Sequence, residues 1–145
     1  YAIMDNFQNE RLVLSGMAIG EASKALEITL DYLKERTAFD AKLWDKQGIR
    51  QRLAMLAAQV EAARQLAYHV AWLDESGEDC VAEVSMLKAM SAEVANRTLY
   101  DCVQFHGGMG YMRESTIERM SRDARLLPIG GGATEVMLEE VAKRL

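Results

Sequence analysis

Proline occurs once in this chain of 145 residues, at Pro128. Helix interiors tolerate proline least, so nothing in the first 127 residues forces a helix to stop. Apolar residues over that stretch recur at spacings of three and four, while the alternation that marks strands is scarce. Long amphipathic helices are therefore the expected state almost everywhere.

The first helix is expected from about Asn9 to Arg36, with Ile19, Ala22, Leu26 and Leu33 on one face and Asn6 or Asn9 as its cap. A loop follows through Thr37-Ala38-Phe39-Asp40. The second helix is expected from Asp45 to Ser76. Its stripe is Ile49, Leu53, Leu56, Val60, Ala63, Leu66, Val70 and Leu73. Ser76-Gly77 ends it. The third runs from Asp79 to His106, burying Val81, Val84, Leu87, Met90, Val94, Thr98, Cys102 and Phe105, and Gly107-Gly108 stops it. Two shorter helices are expected at Glu114–Leu126 and Ala133–Leu145. Three long helices joined by short links must run up, down and up, and the short pair supplies a fourth side. The fold class is an all-α antiparallel four-helix bundle with a short extra helix, in a single domain over 1–145.

Half of the residues are apolar and 27% are charged, which is the balance of a globular chain. The net charge is −5 with acids and bases interspersed, so a nucleic-acid partner is not expected. No apolar run is long enough for a membrane span. Cys80 and Cys102, read as one helix, stand about 33 Å apart at 1.5 Å per residue, too far to pair. A reduced compartment is expected. No secretory or transit segment is visible.

Glycine is concentrated in two places, Gly107-Gly108-Met109-Gly110 and Gly130-Gly131-Gly132. Without a Cβ, such turns let backbone approach a ligand closely, and together they suggest one ligand site. The first follows a helix and not a strand, so it is no dinucleotide fingerprint. Metal chemistry finds no support. Leu66 and Val103 stand three residues before His69 and His106, where a di-iron bundle needs glutamate. His106 either hydrogen-bonds its helix end or meets a ligand. Glu10 reads as a first-turn acid favoured by the helix dipole, with a solvated surface acid as the plain alternative. Arg36 and Arg122 read as surface charges or as an anion clamp.

Taken together, Glu10-Arg11, Arg36-Thr37-Ala38-Phe39, Gln104-Phe105-His106-Gly107-Gly108-Met109-Gly110-Tyr111 and Arg122-Asp123-Ala124-Arg125 resemble the carboxy-terminal domain of the acyl-CoA dehydrogenases. The resemblance covers Phe7 to Leu145 and implies a four-helix bundle whose companion helical and β domains lie outside this sequence. It implies FAD as cofactor and an acyl-CoA thioester as substrate. Arg36 would meet the FAD pyrophosphate across a subunit interface, with Phe39 on the adenosine side and Gln47 nearby. Gln104, Phe105, His106, Gly107 and Gly108 would line the cofactor, and Thr134 would meet the flavin.

The reaction implied is α,β-dehydrogenation. In many members the base precedes a Gly-Thr pair in the loop before the last helix, a place held here by Gly131. In the isovaleryl- and long-chain-type members it stands at the start of the first helix, directly before an arginine, and that place is Glu10. Glu10 is therefore the expected base, its carboxyl filling the gap left by Gly131, with Glu135 as the competitor. Arg11 would hold the acyl-CoA or the base. Phe7, Gln8, Gly131 and Gly132 would line the substrate channel. An electron-transferring flavoprotein, a homodimer or homotetramer, and a bacterial cytoplasmic or mitochondrial matrix setting are implied as well. A non-catalytic helical assembly module and an acyl-CoA oxidase-type relative are the alternatives. Three departures stand out: Gly132-Ala133-Thr134 stretches the Gly-Thr pair, Asp40 stands for the usual glycine, and Ser115-Thr116 replaces an aromatic-proline pair.

Overall fold

A computed structural model describes the backbone of residues 2–145 and the side chains from Gln8 onward. The long helices are α1 (Ala2–Glu35), α2 (Gln47–Glu75) and α3 (Val81–His106). A short hairpin, β1 (Thr37–Ala38) and β2 (Ala41–Lys42), and a 3-10 turn (Leu43–Asp45) join α1 to α2. Three shorter helices follow: α4 (Gly108–Tyr111), α5 (Thr116–Ala124) and α6 (Thr134–Ala142).

Cross-links between side chains fix the directions. Arg64 on α2 donates to Ser23 on α1 at 2.7 Å, and Arg52 near the start of α2 pairs with Asp101 near the end of α3. Thr29 and His106, both late in their helices, lie 3.3 Å apart. So α2 runs against α1 and α3, and those two run together. α5 packs on α3 and α1, and α6 packs on α3. The all-α bundle is as expected.

The buried stripe of α2 is Leu53, Leu56, Val60, Ala63 and Val70, the expected periodic face. α1 contributes Ala18, Ile19, Ala22, Ala25 and Leu33. Alanines at these positions let α1 and α3 approach closely. α3 sits among α1, α2, α5 and α6, so it is buried on more than one face. That is why Ser85, Lys88, Ser91, Thr98 and Asp101 lie inside beside Val84, Leu87, Leu99 and Cys102.

Several local expectations need correction. α1 begins at Ala2, so Asn9 is no cap and Glu10 stands in the third turn rather than the first. The helix-dipole argument for Glu10 therefore lapses, because that field fades within one turn. Cys80 caps α3 from outside the helix; it and Cys102 are free and buried. The expected loop at 37–40 is a two-residue hairpin turn. Phe39 and Asp40 both take left-handed backbone, φ 56° and 59°, which gives the turn the twist that short hairpins require. Asp tolerates that region and phenylalanine does not, so Phe39 is held at a cost of about 1–2 kcal/mol.

Candidate functional site

α3 ends where Gly107 turns to φ 57°. Beneath that turn His106 is 8% exposed, its ring stacked on Tyr32 at 4.1 Å between centroids. Tyr32 donates its hydroxyl to the His106 carbonyl at 3.3 Å, and Thr29 engages Nε2. Of the two readings of His106, the bond it makes is to α1, not to its own helix end. Burial pushes its pKa below the ordinary 6.5, so the ring is neutral at pH 7. Gly110 is required internally, since a Cβ there would collide with the Val103 carbonyl. Gly107 and Gly108 are not crowded: among the described residues, apart from their own neighbours along the chain, no atom lies within 4 Å of where their Cβ would stand. They border a cavity of about 600 Å³ that Tyr32, Arg36, Phe105, His106 and Met109 also line.

Arg36, Phe105, His106, Gly107 and Gly108 thus line one cavity. Phe39, Gln47 and Gln104 are exposed and do not line that cavity. Phe39 stands out from the hairpin tip, 88% exposed, with the Lys46 ammonium 5.6 Å from its ring. Thr134 lies elsewhere, at the start of α6, with its hydroxyl 3.4 Å from Glu93. Arg122 pairs along α5 with Glu118 at 2.7 Å, which occupies its guanidinium.

The second glycine run forms a separate site. Gly131 has φ 68° and Gly132 φ 118°, conformations that side chains rarely adopt. Glu10, Val13, Leu14 and Gly131 line a cavity of about 430 Å³. A neighbouring cavity of about 590 Å³ shares Leu14 and Gly131 and reaches Glu21 and Asp123. Burial, and then Asp123, pushes the Glu21 carboxyl above its usual range. A Cβ on Gly131 would run into Leu14 Cδ1, and one on Gly132 would stand 2.7 Å from Met137 Cε and 3.8 Å from Arg11 Nε. Arg11 therefore flanks the loop, and its Nε is buried without a hydrogen-bond partner among the described residues. Gln8 is half-buried, Glu135 is exposed in the first turn of α6 and lines neither cavity, and the Phe7 side chain lies outside the described residues.

The two glycine runs do not make one site. Leu14 and Tyr32 line different cavities 18 residues apart on α1, about 27 Å at a helical rise. The sequence reading also passed over Lys88, whose Nζ donates to Leu127 O at 2.6 Å and Gly132 O at 3.0 Å. The available signal was a lysine set among Met86, Leu87, Ala89 and Met90 on a helix already needed as core. Among the described residues, no group of three His, Cys, Asp or Glu side chains could hold a metal, and no helix is long and apolar enough to cross a membrane.

The family model of the acyl-CoA dehydrogenase C-terminal domain matches residues 1–145, the whole chain. The chain belongs to the acyl-CoA dehydrogenase family. It is 38% identical to (2S)-methylsuccinyl-CoA dehydrogenase of Cereibacter sphaeroides over 143 residues, covering 99% of this chain and 26% of that one. It is 34% identical to the mitochondrial short/branched chain specific acyl-CoA dehydrogenase of Rattus norvegicus, covering 100% of this chain and 33% of that one. A crystal structure of a probable acyl-CoA dehydrogenase from Mycobacterium abscessus superimposes with TM-score 0.96 at 44% identity, over 98% of this chain and 38% of that one. The chain thus spans about a quarter to two-fifths of the relatives it matches.

Proposed function

We propose that the chain is the carboxy-terminal bundle of an FAD-dependent acyl-CoA dehydrogenase in which Glu10 removes the α proton of an acyl-CoA thioester. One observation carries this reading: Glu10 and Gly131 line the same cavity. By the family resemblance Gly131 holds the place of the base in many members, and it has no side chain to take a proton. A carboxylate on α1 that borders the same cavity would supply one.

Leu14 and Val13 give the cavity apolar walls against which an acyl chain packs. Glu10 is itself exposed. A thioester lying over it shuts out water and makes the carboxylate a stronger base. Proton transfer then breaks the Cα–H bond while the Cα–Cβ double bond forms. FAD, when bound, accepts the β hydrogen as hydride. The residues at the end of α3 fit such a group: Gly107 and Gly108 leave uncrowded backbone beside a cavity, and Arg36, with no ion pair among the described residues, offers a planar fork for phosphate.

Homo-oligomerisation belongs to the same proposal. Met55, Ala58, Ala62, Gln65, His69 and Trp72 recur at spacings of three and four on α2, and all are exposed. An exposed stripe with two alanines at its centre and His69 and Trp72 at its end suits a helix-packing interface. An electron-transferring flavoprotein as acceptor, and a bacterial cytoplasmic or mitochondrial matrix setting, follow from the family reading.

Glu10→Gln in the full-length enzyme tests the assignment. Turnover is expected to fall by about 10²–10⁴, the usual worth of a positioned base. Exchange of the acyl α proton with solvent deuterium should fall with it, while flavin content stays normal. Near-normal turnover in that variant sinks the proposal.

A further inference from the structure

The loop opposite Glu10 has a difficulty of its own. Three consecutive glycines lose much backbone entropy on ordering and bring no side chain to anchor themselves. Yet the gap at Gly131 must keep its shape if Glu10 is to use it. One side chain reaches beneath the loop from the third turn of α3. Lys88 is 1% exposed, and its ammonium donates to Leu127 O and Gly132 O, one carbonyl on each side of Gly130-Gly131. Its Cε passes 3.8 Å from where a Cβ on Gly131 would stand.

This lysine is an expensive device. Among the described residues it has no ion-pair partner, and the charge felt most strongly nearby is a second cation, Arg11. Burial first, and Arg11 second, push its pKa below the ordinary range. Packing alone would be better served by methionine, which fills similar volume without desolvating a charge. What methionine cannot do is donate two hydrogen bonds and set positive charge under Gly131.

We infer that Lys88 is a positioning residue for the base: it ties the carbonyls of Leu127 and Gly132 into the floor of the gap and places a cation beside Gly131, which shares a cavity with Glu10. The inference rests on the proposed role of Glu10. Lys88 touches neither substrate nor cofactor; it acts through the glycine loop. Without it the loop relaxes into the space left, and the carboxylate meets a gap of the wrong shape.

The test uses the full-length holoenzyme. In Lys88→Met, kcat and the rate of α-proton exchange should fall together by about 10²-fold, the usual cost of a 1 Å misplacement. KM for the acyl-CoA and flavin content should stay within about two-fold, because ground-state binding is not what is lost. Lys88→Arg, which keeps the charge and both donors, should recover most of the rate. An unchanged kcat in Lys88→Met overturns the inference. So does a loss of KM and flavin that matches the loss of kcat, or an arginine variant no better than methionine. Should Lys88→Met not fold, a crystal structure of the wild-type holoenzyme with bound acyl-CoA decides. Nζ within about 3.2 Å of both carbonyls supports the role, and Nζ turned to another partner removes it. Glu10→Gln run alongside separates the two readings. Activity surviving there removes the base; activity lost there but intact in Lys88→Met removes only the lysine.

Discussion

Adding a single methyl group at Gly131 probes the gap directly. Residue 131 has φ 68°, where a side chain costs about 1–2 kcal/mol relative to glycine. The new Cβ would also overlap Leu14 Cδ1, while Leu14 Cγ and Lys88 Cε at 3.8 Å stay in ordinary contact. Leu14 Cδ1 is the far end of a flexible, half-buried side chain, so it yields by leaving its rotamer, at about 0.5–1.5 kcal/mol. Gly131→Ala should therefore destabilise by about 1.5–3.5 kcal/mol in all.

The two contributions separate in a double-mutant cycle with Leu14→Ala, followed by equilibrium urea unfolding of the purified enzyme. Removing the leucine relieves the overlap but not the backbone strain. The coupling should be about 0.5–1.5 kcal/mol, leaving about 1–2 kcal/mol in the Leu14→Ala background. Catalysis should follow the same pattern. Leu14 displaced by the methyl intrudes on the cavity that Glu10 borders, so kcat/KM falls in Gly131→Ala and recovers partly in the double variant. A full penalty with zero coupling would mean that Leu14 does not close over Gly131. No penalty at all would mean that residue 131 is not held at positive φ, and the account of the gap would fail with it.

Two further outcomes concern what holds the bundle around these cavities. Asp101 is 2% exposed and receives a two-pronged bond from Arg52, which is 42% exposed, with Arg97 Nε at 3.4 Å. Water can take over Arg52 but not Asp101, so Arg52→Ala should cost more in urea unfolding than Asp101→Ala, by about 1 kcal/mol or more; equal costs would contradict that asymmetry. His106 is held below 6.5 by burial, so below that pH the unfolded chain binds the extra proton first. Its contribution is complete above pH 6.5 and drains as the pH falls through its folded value; His106→Gln should flatten that part of the stability profile. Glu21, raised by burial and by Asp123, slopes the opposite way and is common to both proteins.

The long helices were legible because periodicity needs nothing beyond the sequence. Leu53, Leu56, Val60 and Ala63 declare the inner face of α2 whatever packs on it. Where the sequence misled, a tertiary partner decided. Asn9 is a good cap, but α1 extends to Ala2 and the cap lies inside it. Phe39-Asp40 carries no glycine, yet both residues are driven to positive φ by a hairpin that packs on α1. Lys88 has the composition of a surface residue and lies in the core because five elements converge on α3. Of the candidate residues, Glu10 and Gly131 were found from a resemblance, since neither carries a local signal that separates it from a surface acid and an ordinary turn.

The separation of the two cavities bears on how such an active site is assembled. Tyr32, Arg36 and His106 line a cavity at one end of α1, while Leu14 lies about 27 Å and Glu10 about 33 Å from Tyr32 along the helix, beside Gly131. A flavin that takes hydride from Cβ must sit against the acyl group, hence beside Glu10. The Arg36 end of the same chain is too far to touch the reacting end of that cofactor. On the proposed reading it holds a more distant part of the dinucleotide, or the dinucleotide belonging to another copy. On the same reading the exposed stripe from Met55 to Trp72 is the face offered to that second copy. On that reading oligomerisation joins the two ends, because the proposed base and the proposed phosphate clamp stand at different ends of α1.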